Sequence, residues 1–402
     1  MNEFTQRLRL SEALTNEMEL SAASILVKKQ ISIFMEYIHN NKDNIVWTNM
    51  VMPTEIFYAS NLIPIHTELI AGWLSTLNLA EKYIQIAHAK GYNINLCSYH
   101  KAIIGAIEAG ILPKPKIAVL STHICDGGSL MARLFQEKFQ TKVMIIDIPY
   151  HNTKESYDYL SNKFMHLARW LEDYTGEKIV KKNLSKAIAL SNLERKHLVK
   201  ANELRKKKAL FWGNLAIRNM YGVTFLSGSQ LGAQVAMTYY EELKGKKEVL
   251  SNYHRILWIH FAPLYAGALM RYFEENLKCV ITFDITSYIY WNHLNEEKPY
   301  ESITQKALSH FFLGGTDNRI NLYLHIIREY NIDGIVMFMH QGCRAIPGSS
   351  WELKEVNRIT NIPFMELYGD CIDPGGFSSE QMKLRMEAFS EGMVKRKHVL
   401  RY

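Results

Sequence analysis

Short apolar runs alternate with amphipathic helical patterns along most of this sequence, and that alternation strongly limits the folds open to the chain. Before residue 151 the apolar runs are NIVWTNMVMP, INLC, KIAVLSTH and KVMIIDIPY, separated by helical patterns such as SYHKAIIGAIEAG. After residue 250 the alternation resumes with RILWIHFAPL, KCVITFDI, GIVMFMH and IPFMELYGD. Strands that alternate with helices in this way predict parallel sheets with crossover helices.

The two alternating stretches predict an α/β protein with two lobes, each built on a parallel sheet of the flavodoxin-like or Rossmann-like kind. A chain of 402 residues, 48% of them hydrophobic, is long enough to bury a sizeable core. Between the stretches the sequence has a helical pattern and many charges, which suits a connecting layer. We therefore divide the chain into an N-terminal helical segment (1–45), a first α/β domain (46–160), a helical connector (161–250) and a second α/β domain (251–402).

Composition and charge argue against several classes of protein. Five cysteines without paired short spacings argue against a disulfide framework, and no apolar run suits a signal peptide or a membrane span. We therefore expect a cytoplasmic protein that has no membrane partner. The formal charge of +7 is modest for this length, and the basic clusters lack interleaved aromatic residues, so we expect no nucleic-acid partner. A small anionic ligand is compatible with this charge.

Four of the five cysteines fall between an apolar run and the helical pattern that follows it. Cys97 ends INLC, Cys125 follows KIAVLSTH, Cys343 follows GIVMFMHQG and Cys371 follows IPFMELYGD. These positions belong to the carboxyl edge of a parallel sheet, where open α/β folds bind ligands and where helix N-termini favour thiolates. Each of the four is either a ligand or a core residue, whereas Cys279 is expected to pack in the core. Since two come from each predicted lobe, a site that uses them would lie in the cleft between the lobes.

Several segments, taken together and in order, resemble one protein family. They are MPTEIFYASNLIP, LCSYHKAIIGAI, STHICDGG, DIPYH, ALSNLERKHLVKANELRK, DGIVMFMHQGCRAI and ELYGDCIDPGGFSSEQMKLRMEAFSEGM. The set is similar to the iron-sulfur component of the 2-hydroxyacyl-CoA dehydratase and benzoyl-CoA reductase family, and it covers most of the chain. Asp126, Asp370 and Asp373 follow strand ends, where acids usually cap the next helix. After Asp373 the sequence departs from the family, because two glycines stand where members often carry a basic residue.

The resemblance implies an iron-sulfur cluster in the cleft between the lobes, held by Cys97, Cys125 and Cys343. In that family each subunit of a dimer holds a cluster, commonly a 4Fe-4S cubane bound by three cysteines. One iron is then left for a non-protein ligand or the substrate. Cys371 is either a spare thiol near the cluster or a fourth ligand, and a fourth ligand would favour an electron relay.

The resemblance also implies a reaction, the removal of water from a (R)-2-hydroxyacyl-CoA. In the family an ATP-hydrolysing iron-sulfur activator supplies one electron, and the thioester becomes a ketyl radical that expels the α-hydroxyl. The β proton then becomes removable. The sequence has neither G-x-x-x-x-G-K-[ST] nor G-x-G-x-x-G, in keeping with a nucleotide site on a separate activator.

Two further residues have candidate roles under this resemblance. Glu55, in MPTEIF, is the first candidate for the base that takes the β proton; apart from the family it is an acid favoured by the amide dipoles of a helix start. His340, three residues before Cys343, is a candidate donor to a cluster sulfide or a substrate oxygen, or else a local structural donor.

Other functions are compatible with the sequence. The same fold family includes benzoyl-CoA reductase-type and double-cubane reductases, although a double cubane needs more ligands than the four well-placed cysteines. Because these enzymes are often dimers of related chains, this chain is either a catalytic or an electron-relay subunit of a homodimer or heterodimer. A zinc ion bound by the thiols in a structural role is a further alternative.

Overall fold

Two four-stranded parallel sheets, one in each half of the chain, form the centre of the part that the structure describes. The computed structural model describes residues 3, 4, 6, 22–40, 43–179, 181–209, 225–346, 349–376 and 378–399. The first sheet contains β1 (Ile45–Thr48), β2 (Ile63–His66), β3 (Ile117–Ser121) and β4 (Lys142–Ile146) in the order β2-β1-β3-β4. The second contains β5 (His254–Ile259), β6 (Cys279–Asp284), β7 (Gly334–His340) and β8 (Phe364–Gly369) in the order β6-β5-β7-β8. The predicted α/β fold with two parallel sheets is confirmed.

Helices precede, separate and cover the strands. Those before the second sheet are α1 (Ala22–His39), α2 (Glu55–Ala59), α3 (Thr67–Thr76), α4 (Ala80–Ala89), α5 (Ser98–Glu108), α6 (Gly127–Phe139), α7 (Lys154–Thr175), α8 (Lys181–Arg205) and α9 (Gln230–Gly245). Those after β5 are α10 (Gly267–Arg271), α11 (Pro299–Leu308), α12 (Thr316–Tyr330), α13 (Ser349–Thr360) and α14 (Ser379–Val399). A π-helical turn, Tyr272–Asn276, continues α10, and short 3-10 turns occur at Leu250–Asn252, Ile285–Ser287 and Pro374–Gly376. No helix in the described ranges combines the length and apolar content that a membrane span requires.

The central strands are mostly apolar because elements pack on both of their faces. All four residues of β1 and all five of β3 are buried, and Trp47 of β1 pairs with Ala118 of β3. In the second sheet Ile256 of β5 pairs with Gly334 of β7. Continuous hydrophobic strands of this kind are typical of parallel sheets, since alternation would leave polar residues facing a helix.

The strand order reverses at the middle of each sheet. In the first sheet the chain moves from β1 to β2 on one side and then to β3 on the other side of β1, and β5, β6 and β7 repeat this pattern. Such a reversal leaves a crevice outside the carboxyl ends of the two central strands. The fold therefore offers two crevices, at the ends of β1 and β3 and at the ends of β5 and β7.

The two halves share a hydrophobic core. One cluster of buried side chains contains Trp47 and Phe135 of the first half together with Trp258 and Phe338 of the second. Helix α8 also contacts both halves: Ser191 donates to Glu55 over 2.7 Å, and Asn202 donates to the carbonyl of Ser287 over 2.8 Å. The predicted connector therefore buries polar side chains against both halves of the chain.

Two details differ from the sequence-based expectation. The predicted strand INLC is wrong, because residues 91–97 form turns ahead of α5. Gly91 has a φ of +86°, Asn93 accepts a hydrogen bond from the amide of Asn95, and Ile94 is 68% exposed, so this segment faces solvent instead of a sheet. Strand β2 was not anticipated; it contains Pro64, which is tolerated because β2 lies at the edge of its sheet.

The N-terminal and connecting segments are described only in part. Within the predicted segment 1–45, helix α1 is confirmed, and most residues before it lie outside the described ones. Within 161–250 the described residues are mainly those of α7, α8 and α9, and residues 210–224 lie outside. The four domain boundaries stay a prediction.

Candidate active site

A cavity lies at the carboxyl edges of the two sheets, where both strand orders reverse. Residues 49–53 and 123–125, which follow β1 and β3, line it from the first half. Residues 260–261, His340 and Cys343 line it from the second half. The cavity therefore lies where sheets of this topology usually bind a ligand.

Cys97, Cys125 and Cys343 all line this cavity, although they are far apart in sequence. Cys97 is the N-cap residue of α5, Cys125 lies between β3 and α6, and Cys343 follows β7. The expectation that thiols from both lobes meet in one cleft agrees with this geometry. Cys279 is buried at the start of β6, outside the described cavity lining.

Two glycines allow the thiol-bearing loops to approach one another. A Cβ atom on Gly127 would lie 2.2 Å from Nε2 of His100 and 3.2 Å from Sγ of Cys125. Gly342 has a φ of +78°, and a Cβ atom there would lie 3.4 Å from Cα of Cys97. The loop that carries Cys343 thus packs on the backbone that carries Cys97, and the site depends on glycine at both positions.

Backbone amides face each of these three sulfur atoms. The amide of Gly127 donates to Sγ of Cys125 over 3.3 Å. The amide of Tyr99 lowers the pKa of Cys97, although burial and the nearby Cys343 and Cys125 raise that pKa well above its usual range. Hydrogen bonds from amides to cysteine sulfur stabilise thiolates and are a principal means by which proteins tune iron-sulfur clusters.

Burial raises the pKa of Cys343, whereas hydrogen bonds from the amides of Ala345 and Ile346 lower it. Burial likewise raises the pKa of Cys125 to about 11. Buried thiols that raise one another's pKa favour the protonated state unless a positive group lies between them. The donor set therefore fits a cationic centre bound through thiolates.

Within the described ranges no three His, Cys, Asp or Glu side chains are grouped closely enough to hold one metal ion. A zinc ion needs its ligands around a single point, whereas a cubane cluster takes each cysteine on a different iron.

His340 contacts Cys97 directly. Its Nδ1 accepts a hydrogen bond of 3.0 Å from the amide of Cys371, so the ring proton is on Nε2, which lies 3.3 Å from Sγ of Cys97. Burial lowers the pKa of His340, which favours this neutral form. The imidazole is thus oriented to donate to the Cys97 sulfur, as proposed for a histidine beside a cluster.

Cys371 differs from the three cavity cysteines. It is fully buried, lies outside the described cavity lining, and its Sγ donates to the carbonyl oxygen of Phe261 over 3.4 Å. Burial raises its pKa well above the usual range. These contacts are those of a protonated thiol. His260, which the sequence analysis did not single out, lies 3.9 Å from the sulfur atoms of both Cys371 and Cys343.

Three of the nine described non-glycine residues with a left-handed backbone line the cavity. Val51, Ile124 and His260 line it with φ values of +70°, +57° and +73°. Left-handed backbone is costly for residues with a Cβ, above all for β-branched ones, and such strain is typically retained at functional sites. Ile124 is adjacent to Cys125 and His260 contacts Cys343, so the strain coincides with the thiol-bearing loops.

Glu55 lies behind the cavity wall. It is fully buried, and its Oε1 accepts hydrogen bonds from Nζ of Lys306 at 2.6 Å and from Oγ of Ser191 at 2.7 Å. Burial alone would raise the pKa of Glu55, but Lys306 keeps it below the usual range. Lys306 lines the cavity, whereas Glu55 is outside the described lining.

Glu68 is a carboxyl group on the cavity wall that sequence analysis missed. It lies at the start of α3, and its Oε2 accepts from the amide of Met50 at 3.1 Å and from Oγ1 of Thr67 at 3.0 Å. Burial raises its pKa to about 6. It also lies within electrostatic range of Cys125. The sequence gives little sign of this role, because an acid in a first helical turn is common for structural reasons.

The acids that follow the strand ends hold loops. Oδ1 of Asp370 accepts hydrogen bonds from Oγ of Ser98 and from the amides of Ile372 and Asp373. Asp126 is exposed and lies 3.4 Å from Arg344, which joins the loops after Cys125 and Cys343. These contacts agree with a structural role for the acids.

A family model for the D-component of 2-hydroxyglutaryl-CoA dehydratase matches residues 49–393, a span that includes every cysteine and the described cavity lining. The chain belongs to this family. The resemblance inferred from the sequence segments is confirmed.

Three characterised relatives are similar over nearly their whole lengths. The alpha subunit of (R)-phenyllactyl-CoA dehydratase from Clostridium sporogenes is 20% identical, over 88% of this chain and 91% of the relative. Lactoyl-CoA dehydratase subunit alpha from Anaerotignum propionicum is 19% identical, over 87% and 90%. The alpha subunit of (R)-2-hydroxyisocaproyl-CoA dehydratase from Clostridioides difficile is 20% identical, over 88% and 91%. All three are named as subunits of dehydratases, and their names specify three different acyl groups.

Proposed function

We propose that this chain is the catalytic iron-sulfur subunit of a 2-hydroxyacyl-CoA dehydratase, which removes water from a (R)-2-hydroxyacyl-CoA. The observation that carries the proposal is the meeting of Cys97, Cys125 and Cys343, from both halves of the chain, on one largely buried cavity. Amides that face each of these sulfurs support their role as thiolate ligands. Membership of the dehydratase family supports the reaction.

These three cysteines would hold a 4Fe-4S cluster, and when bound the cluster would supply an electron and an iron that polarises the substrate's oxygen. His340 would donate to the Cys97 sulfur, and the amide of Gly127 to the Cys125 sulfur. Cys371 is not one of the proposed ligands, because its thiol donates to a backbone carbonyl. The proposed protein ligands are therefore the three cysteines that line the cavity.

The substrate's chemistry explains why an electron is needed. The β proton of a 2-hydroxyacyl thioester is not acidic, so direct elimination is slow. One electron, delivered by an ATP-dependent iron-sulfur activator, converts the thioester to a ketyl radical that expels hydroxide from the α carbon. The β proton is then acidic, and after its removal the electron is released again as the enoyl-CoA forms. The net change is the loss of one water.

The chain must provide a base for that β proton. Glu55, the candidate from the sequence, is ionised but paired with Lys306 behind the wall. Glu68 lines the cavity and has a pKa near 6, which suits a group that accepts a proton near neutral pH. We propose Glu68 as the acceptor and Glu55 as the counter-ion that keeps Lys306 in place.

The cavity supports the catalytic subunit over an electron relay, since a relay needs no substrate chamber. Double-cubane and benzoyl-CoA reductase-type subunits remain alternatives with the same fold. The three described thiols of the cavity are enough for one cluster but not for a double cubane. The relatives named as alpha subunits suggest a second, related subunit. We propose a dimer that works with the activator in the cytoplasm, the usual place for such reducing chemistry.

Iron and acid-labile sulfide analysis of the anaerobically purified protein tests this function. We expect iron and sulfide near the stoichiometry of one cubane, with an electron paramagnetic resonance signal that changes when 2-hydroxyacyl-CoA is added. Cys97→Ser, Cys125→Ser and Cys343→Ser should each lose most of the iron. Cys279→Ser and Cys371→Ser are matched controls that should retain it. Zinc without sulfide, or full iron in Cys125→Ser, would refute the proposal, and a signal insensitive to substrate would indicate a relay subunit.

A further inference from the structure

Beside the thiols the cavity continues into a space walled by aromatic side chains, which we name the aromatic chamber. Its walls are Tyr288, Tyr290, Trp291, His310, Phe311 and Phe312. The ring centroids of Tyr290 and His310 are 4.4 Å apart, and those of Phe311 and Phe312 are 4.8 Å apart. The chamber is therefore a continuous surface of ring faces and edges.

The chamber adjoins the thiols. The rings of His123 and His310 meet edge to face at 4.6 Å, and His123 precedes Cys125 by two residues. His123 is 2% exposed and lines the cavity, yet neither of its ring nitrogens has a hydrogen-bond partner among the residues that the structure describes. A buried imidazole without a partner is costly, so a ligand oxygen at this point would satisfy it. The substrate's 2-hydroxyl or thioester oxygen suits that position.

The two ends of the cavity differ in exposure. Trp291 and Lys306 at the chamber end are buried, whereas Asp126 and Arg344, beside Cys125 and Cys343, are exposed. The large, charged coenzyme A would therefore stay towards Arg344, and the acyl group would extend past the thiols into the aromatic chamber. This direction places the α carbon near His123.

The described lining of the chamber offers no unpaired positive charge to a charged acyl group. Among the described lining residues Lys306 is the one with a formal positive charge, and it is already 2.6 Å from Glu55 and 4.5 Å from the Trp291 ring centroid. The carboxyl group of Glu194 also lies close to Glu55 and Lys306. A carboxylate at the end of the acyl chain would bring a further negative charge to an ammonium that Glu55 already neutralises, in a buried site.

We propose that the substrate of this chain carries an uncharged acyl group with an aromatic ring, a 2-hydroxy-3-arylpropionyl-CoA, and that the chamber excludes acyl groups ending in a second carboxylate. The inference rests on the proposed function and specifies its substrate class. Aromatic rings prefer edge-to-face and offset contacts at these centroid distances, so a ring gains more from this chamber than a short alkyl chain does.

Binding of unreactive analogues to the cluster-loaded protein tests the inference separately from the reaction. Equilibrium dialysis under anoxic conditions would compare 3-phenylpropionyl-CoA, propionyl-CoA and glutaryl-CoA, which lack the 2-hydroxyl and cannot be dehydrated. We expect 3-phenylpropionyl-CoA to bind roughly 10-fold or more tightly than either of the others, the discrimination that a few apolar contacts provide. Glutaryl-CoA binding as tightly as the aryl compound, or tighter, would overturn the inference.

A pair of variants locates the preference. Phe311→Ala should weaken binding of 3-phenylpropionyl-CoA by roughly 10-fold and leave propionyl-CoA nearly unchanged, because the side chain removed contacts the ring alone. Tyr159→Ala removes an exposed aromatic of α7 outside the described lining and should change neither. An equal loss for both compounds in Phe311→Ala would mean that the chamber does not select the acyl group.

Turnover with the corresponding 2-hydroxyacyl-CoA compounds and the activator separates the two proposals. Dehydration that favours 2-hydroxyglutaryl-CoA over phenyllactyl-CoA would refute the substrate class and leave the dehydratase function standing. The expected aryl preference in binding, with no dehydration of any compound, would refute the function and leave the aromatic chamber as an acyl-binding site.

Discussion

Three glutamate side chains near the cavity occupy different electrostatic environments. Glu55 is paired with Lys306, which holds its pKa below the usual range in spite of burial. Burial raises the pKa of Glu194 to about 8, and burial raises that of Glu68 to about 6. Lys306 neutralises the carboxylate of Glu55, so the second carboxyl group of the same buried cluster, that of Glu194, stays protonated. The division of roles among the three follows from position and not from residue type.

Replacement of Glu68 tests the assignment of the base. Glu68→Gln should lower kcat by on the order of 10²–10⁴-fold, the usual contribution of a positioned base. In the wild-type protein kcat should rise with pH through about 6, as Glu68 loses its proton, and then level off. In the Glu68→Gln variant kcat should not show this rise with pH, the acid limb of the pH profile. Steady-state rates between pH 5 and 8 provide the measurement.

Two comparisons make the result specific. Glu81→Gln changes an exposed acid of α4 and should keep both the rate and the acid limb. If Glu68→Gln retains the limb near pH 6, another group titrates there and the assignment to Glu68 is wrong.

His340 provides a second prediction, because its Nε2–H lies 3.3 Å from the Cys97 sulfur. A donor to a ligand sulfur stabilises the reduced, more negative cluster. His340→Leu should therefore make the reduction potential more negative by on the order of 60 mV, which for one electron corresponds to a tenfold change in equilibrium. A redox titration followed by electron paramagnetic resonance measures this.

His340→Gln retains an amide donor of similar reach and should shift the potential less than His340→Leu does. Equal potentials in the wild-type protein and His340→Leu would show that the contact has no influence on the cluster.

At the residue scale, sequence reasoning located thiols better than it located acids. Cys125 and Cys343 follow strands that the apolar pattern predicts, so topology alone brings them to one edge. Cys97 also lines the cavity, but it caps α5 after a turn instead of ending a strand, so the predicted strand was wrong. His260 and Glu194 were missed because their roles depend on contacts with residues distant in sequence, which no local pattern records.

Among the elements, helix α8 departs most from its apparent character. Its sequence is highly charged, yet Glu194 is fully buried and accepts a hydrogen bond from Ser227 over 2.9 Å, and Arg205 pairs with Asp284 at 2.9 Å. Arg205 thus has an acidic partner on β6, and the carboxyl group of Glu194 has a hydrogen-bond donor from outside the helix. A charged helix can therefore be an internal one when groups elsewhere in the fold meet its polar side chains, which composition alone cannot reveal.

Glu194 gives this helix a pH-dependent contribution to stability. Its pKa is about 8 in the folded chain and 4.5 for an ordinary glutamate, so between these values the folded state retains a proton that the unfolded state has lost. Stability should therefore fall as pH rises from 5 to 8. Glu194→Gln imitates the protonated carboxyl group and should remove this pH dependence of the stability. Thermal unfolding across that range should show Tm falling more steeply in the wild-type protein than in the variant.

The exposed Glu241→Gln on α9 is the matched control and should follow the wild-type slope. A Tm difference between wild type and Glu194→Gln that is the same at pH 5 and pH 8 would contradict a raised pKa at Glu194.

Across the whole molecule, the site belongs to neither half alone. The first half supplies Cys97 and Cys125, the second supplies Cys343, and Gly342 lets the second half approach the backbone of Cys97. The alternation of strands and helices predicts both sheets, and the reversal of strand order predicts a crevice at each. What the sequence could not predict is how the two crevices face each other, because that depends on the shared core around Trp47 and Trp258.

A cluster bound across this junction should also stabilise it. Since the folded chain binds the cluster and the unfolded chain does not, removing iron with a chelator should lower Tm by several degrees. Amide hydrogen exchange should rise most in the loops around Cys97, Cys125 and Cys343 and least in the central strands β3 and β7. Cys125→Ser, prepared without chelator, should reproduce this pattern. Unchanged exchange in the Cys343 loop of that variant would mean that the second half does not share the cluster, since a ligand common to both halves cannot be lost from one without loosening the other.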